Sequence, residues 1–218
     1  GRIIDYLKGS GHYDHTLIIF TSDHAGHLGD HHLQGKSGYF DEAFHIPLII
    51  RDPDAAANGA RGGAIDSFTE NVDIMPTILD WLGREVPAQC DGATLMPFLR
   101  GESPDNWRSE AHWELDWRNV PELSGENGFG LQPDQCHFAA IRDDEYEYVH
   151  FPALPPLLFD IKKDPDQLVN RADDPAYSDI HLEYTKKMLS WRMTHAERIL
   201  ANMFLDVGGV REWRGPRC

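Results

Sequence analysis

Cysteine is scarce in this chain. Three residues, Cys90, Cys136 and Cys218, are scattered over 218 positions without a spaced framework. A disulfide-stapled scaffold is therefore excluded, and the odd count leaves one thiol free unless two chains pair. Positive charge is also short: 20 Lys and Arg stand against 36 Asp and Glu, a formal charge of -16. A field of that sign disfavours nucleic acid and anionic membranes as partners. It also means that an anionic substrate has to be drawn in by local cations. No apolar run approaches the roughly 20 residues of a membrane-spanning helix. Repeats and low-complexity tracts are missing, and so are an initiating Met and a targeting segment. The compartment, cytoplasm or periplasm, is thus not encoded here.

What is present suits a folded protein of one or two domains, with 41% hydrophobic and 11% aromatic residues. The periodicity predicts a helix over 2–9, stopped by Gly9 and Gly11, and strands near 16–21 and 46–51. Residues 54–63 form a loop. A helix begins at the N-cap Asp73, tolerates Pro76 in its first turn, and offers Ile74, Ile78, Leu79 and Leu82 as its apolar face before Gly83. A short helix over 95–99 ends at Gly101, and Pro104 to Trp107 marks a boundary. Beyond it, 111–117, 138–142, 145–151 and 157–161 read as antiparallel strands, with a hairpin turn at Asp143-Asp144. Residues 121–133 form a long glycine-containing loop. A final helix is expected over 176–203, its stripe made of Ile180, Tyr184, Met188, Trp191 and Ile199.

The chemistry concentrates between Thr16 and Pro53. Leu17 to Phe20 is a four-residue apolar run, expected as a buried strand, and it breaks off into Thr21-Ser22-Asp23-His24. In open α/β sheets ligands gather at the carboxyl ends of strands. There a carboxylate and an imidazole can converge as half of a divalent-metal site. Twelve residues after His24 comes Lys36, between Gly35 and Ser37, a cation suited to an anionic group beside such a metal.

The run TSDHAGHLGDHHLQGKSGYFDEAFHIPLIIRDP resembles the sulfatases of the alkaline phosphatase superfamily, within them the arylsulfatase and phosphonate monoester hydrolase branch. Glu70 to Leu79, and Leu158 to Ile161 followed by Asp164-Pro165 and Asn170, fit the same family in register. The sequence departs at Ala25, where Gly is usual and where Ala should strain the loop, and at His27, where an acidic residue is common. The resemblance implies an α/β fold: the C-terminal part of a sulfatase domain over residues 1–104, then a small subdomain with an antiparallel sheet and a long helix over 105–218. It implies Asp23 and His24 as metal ligands, with calcium first and manganese, magnesium or zinc as alternatives. Lys36 and the recurrent His31 become catalytic candidates, although His31 could equally orient the loop through hydrogen bonds. His45, at a position of Arg or His in the family, is expected in a buried structural contact.

The implied reaction is hydrolysis of a sulfate ester by a formylglycine nucleophile, with phosphonate or phosphate ester hydrolysis as the near alternative. The nucleophile arises from Cys or Ser in a Cys/Ser-x-Pro/Ala-x-Arg motif, which none of the three cysteines matches. The chain is therefore expected to be the C-terminal portion of a longer enzyme, with the missing N-terminal part and a small anionic ester as its partners; a homo-oligomer is compatible. A non-catalytic module is the rival from another class, and an upstream nucleophile motif discriminates the two. A separate zinc site from His24, His27, His31, His32, Asp23 and Asp30 is disfavoured, because the zincin motif needs Glu directly after its first His and a helix, and here Leu28 and Gly29 follow. The cluster His112 to Arg118 reads as a strand with packed tryptophans.

Overall fold

The computed structural model describes residues 1–36, 38–87, 89–117, 130–195, 203–206 and 209–212, the last two segments and residue 133 by backbone alone. They form two compact units, Gly1–Trp107 and a second beginning at Arg108. Among the described residues no helix is long and apolar enough to cross a membrane.

In the first unit, α1 (Arg2–Gly9) ends in Ser10 and a left-handed Gly11, φ 76°. β1 (Ile18–Thr21) pairs antiparallel with β4 (Leu48–Arg51), Phe20 opposite Ile49. Between them lie a short hairpin, β2 (His27–Leu28) and β3 (Gln34–Gly35), and the single turn α2 (Asp41–Phe44). The expected burial of β1 is not met: Phe20 is 59% and Ile49 62% exposed. A ribbon only two strands wide shields few of its own side chains.

α3 (Ile74–Trp81) and α4 (Met96–Leu99) follow. α3 forms where expected, but its buried side is not the apolar stripe. Pro76 and Thr77 are buried, whereas Ile78 and Leu82 are exposed. The reason lies in hydrogen bonds. Thr77 Oγ1 donates to Asp73 O at 2.6 Å and accepts from Leu95 N at 2.8 Å, while Thr94 Oγ1 donates to Asp80 at 2.7 Å. Asp73 makes no side-chain cap on α3. Its buried carboxylate accepts from Glu70 N and Ala93 N, each at 2.8 Å, closing the 3-10 turn ahead of the helix. Gly92 makes this possible, since a Cβ there would lie 2.1 Å from Val72 O.

The second unit is a four-stranded antiparallel meander, β5 (Ala111–Asp116), β6 (His137–Arg142), β7 (Tyr146–His150) and β8 (Leu157–Asp160), packed against α5 (Ser178–His195). Its core joins Ile141, Tyr148 and Leu158 of the sheet to Tyr184 and Met188 of the helix. Each such side chain contributes roughly 1.5–3 kcal/mol on leaving water. The expected stripe over Ile180, Tyr184, Met188 and Trp191 is the face that packs; Ile199 and most of the 121–133 loop lie outside the described residues. The helix is shorter than expected. Met203 opens β9 (Met203–Asp206), which pairs antiparallel with β10 (Gly209–Glu212).

Asp143 ties turn to helix. Its carboxylate accepts from Glu145 N and Tyr146 N, both at 2.9 Å, and from the Tyr184 hydroxyl, with Lys187 Nζ at 3.3 Å. Burial pushes this carboxyl up, but the Tyr184 hydroxyl, the two backbone N–H groups and Lys187 outweigh it and hold it below its ordinary 3.8. A depressed folded-state value stabilises the fold above the unfolded value and loses that contribution as pH falls through the folded one. Melting temperature should therefore decline as pH drops below about 4. Tyr184→Phe should lower it at neutral pH and make the acid decline shallower; an unchanged acid slope would remove Asp143 from the account.

Candidate metal and anion site

The site is built on the abrupt end of β1. Ser22 Oγ donates to His24 O at 2.6 Å and reaches Asp23 Oδ1 at 3.3 Å. Asn71, 49 positions further along the chain, donates from Nδ2 to Ser22 O at 2.9 Å, and its Oδ1 accepts from Thr21 Oγ1 at 3.3 Å. Ala25 N donates to Ala43 O of α2 at 2.8 Å. Three of the five residues from Thr21 to Ala25 are thus tied to two separate elements. The strain expected at Ala25 does not arise: its φ is not positive, and its N–H has a strong partner.

His24 Nδ1 lies 2.7 Å from Ala25 O. A carbonyl can only accept, so Nδ1 carries a proton and donates it to Ala25 O, and Nε2 is the ring nitrogen turned to Asp23. That nitrogen is 3.6 Å from Asp23 Oδ2, and the Asp23 side chain is 85% exposed. The backbone N–H of His24, and then its ring, hold the Asp23 carboxyl below the usual range, so it stands ionised. An imidazole fixed through Nδ1–H to a backbone carbonyl, with Nε2 beside a carboxylate oxygen, is the arrangement of a metal-ligating histidine. The donor pair fits a divalent cation. It is only part of a coordination shell, since no group of three or more His, Cys, Asp or Glu side chains able to hold a metal ion occurs among the described residues.

Lys36 is exposed in the turn after β3. His27 pairs with Gly35, so the same register carried one residue further sets Lys36 opposite Gly26, two positions from His24. The strands run close there: a Cβ on Gly26 would be 3.3 Å from Gly35 O. His31 sits at the tip of the hairpin, its side chain 11% exposed. Its ring stacks on Phe40 at 3.6 Å and 2°, with Nε2 3.6 Å from Glu42 Oε2. His27 is 1% exposed, edge-on to both rings, and neither of its ring nitrogens has a hydrogen-bond partner among the described residues. His32 is exposed. His45, the C-cap residue of α2, is exposed too, contrary to the expected buried contact. No local pattern marks Asn71 as a clamp, because the bonds that define it span about half the first unit.

Comparison with known proteins places the chain in a family. Residues 29–194 match the family model described as N-sulphoglucosamine sulphohydrolase, C-terminal. The chain is 50% identical over 202 residues to the multifunctional alkaline phosphatase superfamily protein PehA of Trinickia caryophylli, covering 93% of this chain and 39% of that protein. It is 34% identical over 172 residues to an N-acetylglucosamine-6-O-sulfatase of Bacteroides thetaiotaomicron, covering 78% of this chain and 29% of that one. Its fold superposes on the phosphonate monoester hydrolase of Agrobacterium radiobacter with a TM-score of 0.90 at 46% identity, over 99% of this chain and 42% of the other. The chain therefore spans some two-fifths or less of the length of these relatives.

Asn71→Ala removes both bonds to Thr21 and Ser22. Each is worth about 1 kcal/mol, about 2 kcal/mol together, so exchange of the Ala25 amide through local opening should accelerate roughly 30-fold. Hydrogen exchange resolved at residues 22–25 checks this, and unchanged protection would show that Asn71 holds nothing.

Proposed function

Because the chain belongs to the N-sulphoglucosamine sulphohydrolase C-terminal family, among the sulfatases and phosphonate monoester hydrolases of the alkaline phosphatase superfamily, we propose that it forms one flank of a hydrolytic site for small anionic esters. The observation that carries this reading is the Asp23–His24 pair: an ionised carboxylate 3.6 Å from an imidazole nitrogen whose tautomer Ala25 fixes. These two residues would hold a divalent cation, calcium first, with manganese, magnesium or zinc as alternatives. When bound, such an ion would polarise the non-bridging oxygens of the ester. Calcium takes six to eight ligands, so the shell must be completed from outside these two residues.

Lys36 would neutralise negative charge on the transferred group or on the departing oxygen, an electrostatic contribution effective where water is excluded. Its place opposite Gly26 ties it to the segment that follows His24. The overall charge of -16 repels an anion, so Lys36 and the cation must supply the local attraction. The nucleophile, a formylglycine, would come from polypeptide beyond these residues, as no cysteine here has the required neighbours. The exposed Phe20, Ile49, Met75 and Leu82 support docking with that remainder, since solvent-facing apolar side chains on a ribbon and a helix suit a larger fold.

Sulfuryl and phosphoryl centres share tetrahedral geometry, so Asp23, His24 and Lys36 serve either. Identity favours the second reading as the first to test: 46% to the phosphonate monoester hydrolase, against 34% to the N-acetylglucosamine-6-O-sulfatase. Steady-state rates of the complete enzyme on an aryl phosphonate monoester and an aryl sulfate separate the two, and turnover of neither ester would end the proposal.

In that enzyme Lys36→Ala should lower kcat by about 10²- to 10³-fold, the scale of losing one preorganised group, with little change in melting, because the side chain is exposed. Lys36→Arg should rescue poorly, as the planar guanidinium does not replace a compact charge. Near wild-type kcat in a normally folded Lys36→Ala enzyme would return Lys36 to the status of a solvated charge. The isolated 218-residue chain should hydrolyse neither ester. Turnover by a contaminant-free sample would show that the nucleophile lies within it.

A further inference from the structure

His31 has the position of a recurrent family histidine, yet its ring is engaged below the hairpin tip. Its backbone is in the left-handed region, φ 51°, as is that of His32, φ 58°, after Gly29 at φ 122°. Two successive non-glycine residues with positive φ persist only where the surroundings hold them. What holds them is visible. The His31 ring lies flat on Phe40 at 3.6 Å, with Glu42 Oε2 3.6 Å from Nε2 and buried His27 edge-on to both rings.

Phe40 and Glu42 flank the start of α2, and the next residue in that turn, Ala43, accepts the amide of Ala25. One short turn therefore grips the hairpin through Glu42 and the end of β1 through Ala43. The β2–β3 ribbon closes the circuit, because Gly26 runs against Gly35 directly before Lys36.

We propose that His31, Phe40 and Glu42 form a bracket that fixes the Lys36 hairpin relative to Asp23 and His24, so that His31 is a positioning residue that acts through Lys36 and does not touch substrate. The inference rests on the reading of Lys36 given above. It separates His31 from a general acid or base, because its ring is 11% exposed and occupied by a stacking aromatic and a carboxylate. It also assigns a task to Glu42, whose Oε2 is buried without a hydrogen-bond partner among the described residues and has His31 as its neighbour.

A double-mutant cycle in the complete enzyme tests this, because residues that act through one another are non-additive. The probes are an aryl phosphonate monoester and an aryl sulfate. His31→Ala and the milder Glu42→Gln should each lower kcat about tenfold, as displacement of a group from its productive position does, with KM little changed. His31→Phe, which keeps the stack and loses the Glu42 contact, should fall between His31→Ala and wild type. In a Lys36→Ala background the same substitutions should change kcat less than about twofold. Melting curves identify any variant that has failed to fold, and Glu42→Gln, a near-isosteric change, then carries the test. The same tenfold loss in both backgrounds would overturn the proposal and make His31 an independent catalytic group. Wild-type kcat for Glu42→Gln and His31→Phe beside a slow Lys36→Ala enzyme would overturn it and leave the reading of Lys36 intact. A Lys36→Ala enzyme with unchanged kcat would take down both.

Discussion

The proposed site depends on how β1 stops. A strand that ran on past Thr21 would send Asp23 and His24 to opposite faces. Instead the backbone leaves the ribbon at Ser22 and is held there from two sides. Asn71 binds Thr21 and Ser22, and Ala43 takes the amide of Ala25. Between these anchors the carbonyl of Ala25 binds Nδ1 and orients the His24 ring. The carboxylate and Nε2 then stand 3.6 Å apart. On the proposed reading, a metal entering this pair would meet ligands already oriented, which keeps reorganisation cost low.

The anchors of the clamp are themselves well supported. Asn71 opens the 3-10 turn whose geometry Asp73 fixes through Glu70 and Ala93, and Gly92 lets the following loop lie against Val72. α3 is oriented by the same polar contacts, through Thr77 and Asp80, and not by apolar burial. The outcome is a helix with its hydrogen-bonding side inward and Met75, Ile78 and Leu82 in solvent. The second unit is organised differently. Its sheet and α5 share a core of Ile141, Tyr148, Leu158, Tyr184 and Met188, reinforced where Asp143 receives Tyr184 and Lys187.

Much of this was legible beforehand, and the misses have physical reasons. The strand breaking into Thr21-Ser22-Asp23-His24, and the period of the four later strands, rest on local pattern, which sequence carries well. The family relation came from the same stretch, because its motif residues are contiguous. What local pattern does not carry is partnership across distance. Asn71 meets Ser22 across 49 residues, and His31 meets Glu42 through a hairpin and a turn. The apolar period of α3 is plain in the sequence, but the direction it faces is not, because buried hydrogen bonds of Thr77 and Asp73 outrank it in this unit. Burial of β1 and of His45 was expected from hydrophobicity and family position, and both depend on surfaces that these residues do not supply. The last helix was carried through to Met203 because an apolar run ahead of two glycines also satisfies a helical period.

The central claim is that the end of β1 delivers Asp23 and His24 to one cation. Anomalous diffraction from crystals of the complete enzyme, recorded at the absorption edge of a bound manganese or zinc ion, tests it most directly. The account predicts an anomalous peak within bonding distance, about 2.0–2.3 Å, of both an Asp23 carboxylate oxygen and His24 Nε2. A peak coordinated elsewhere, with Asp23 and His24 still joined only to each other, would contradict it.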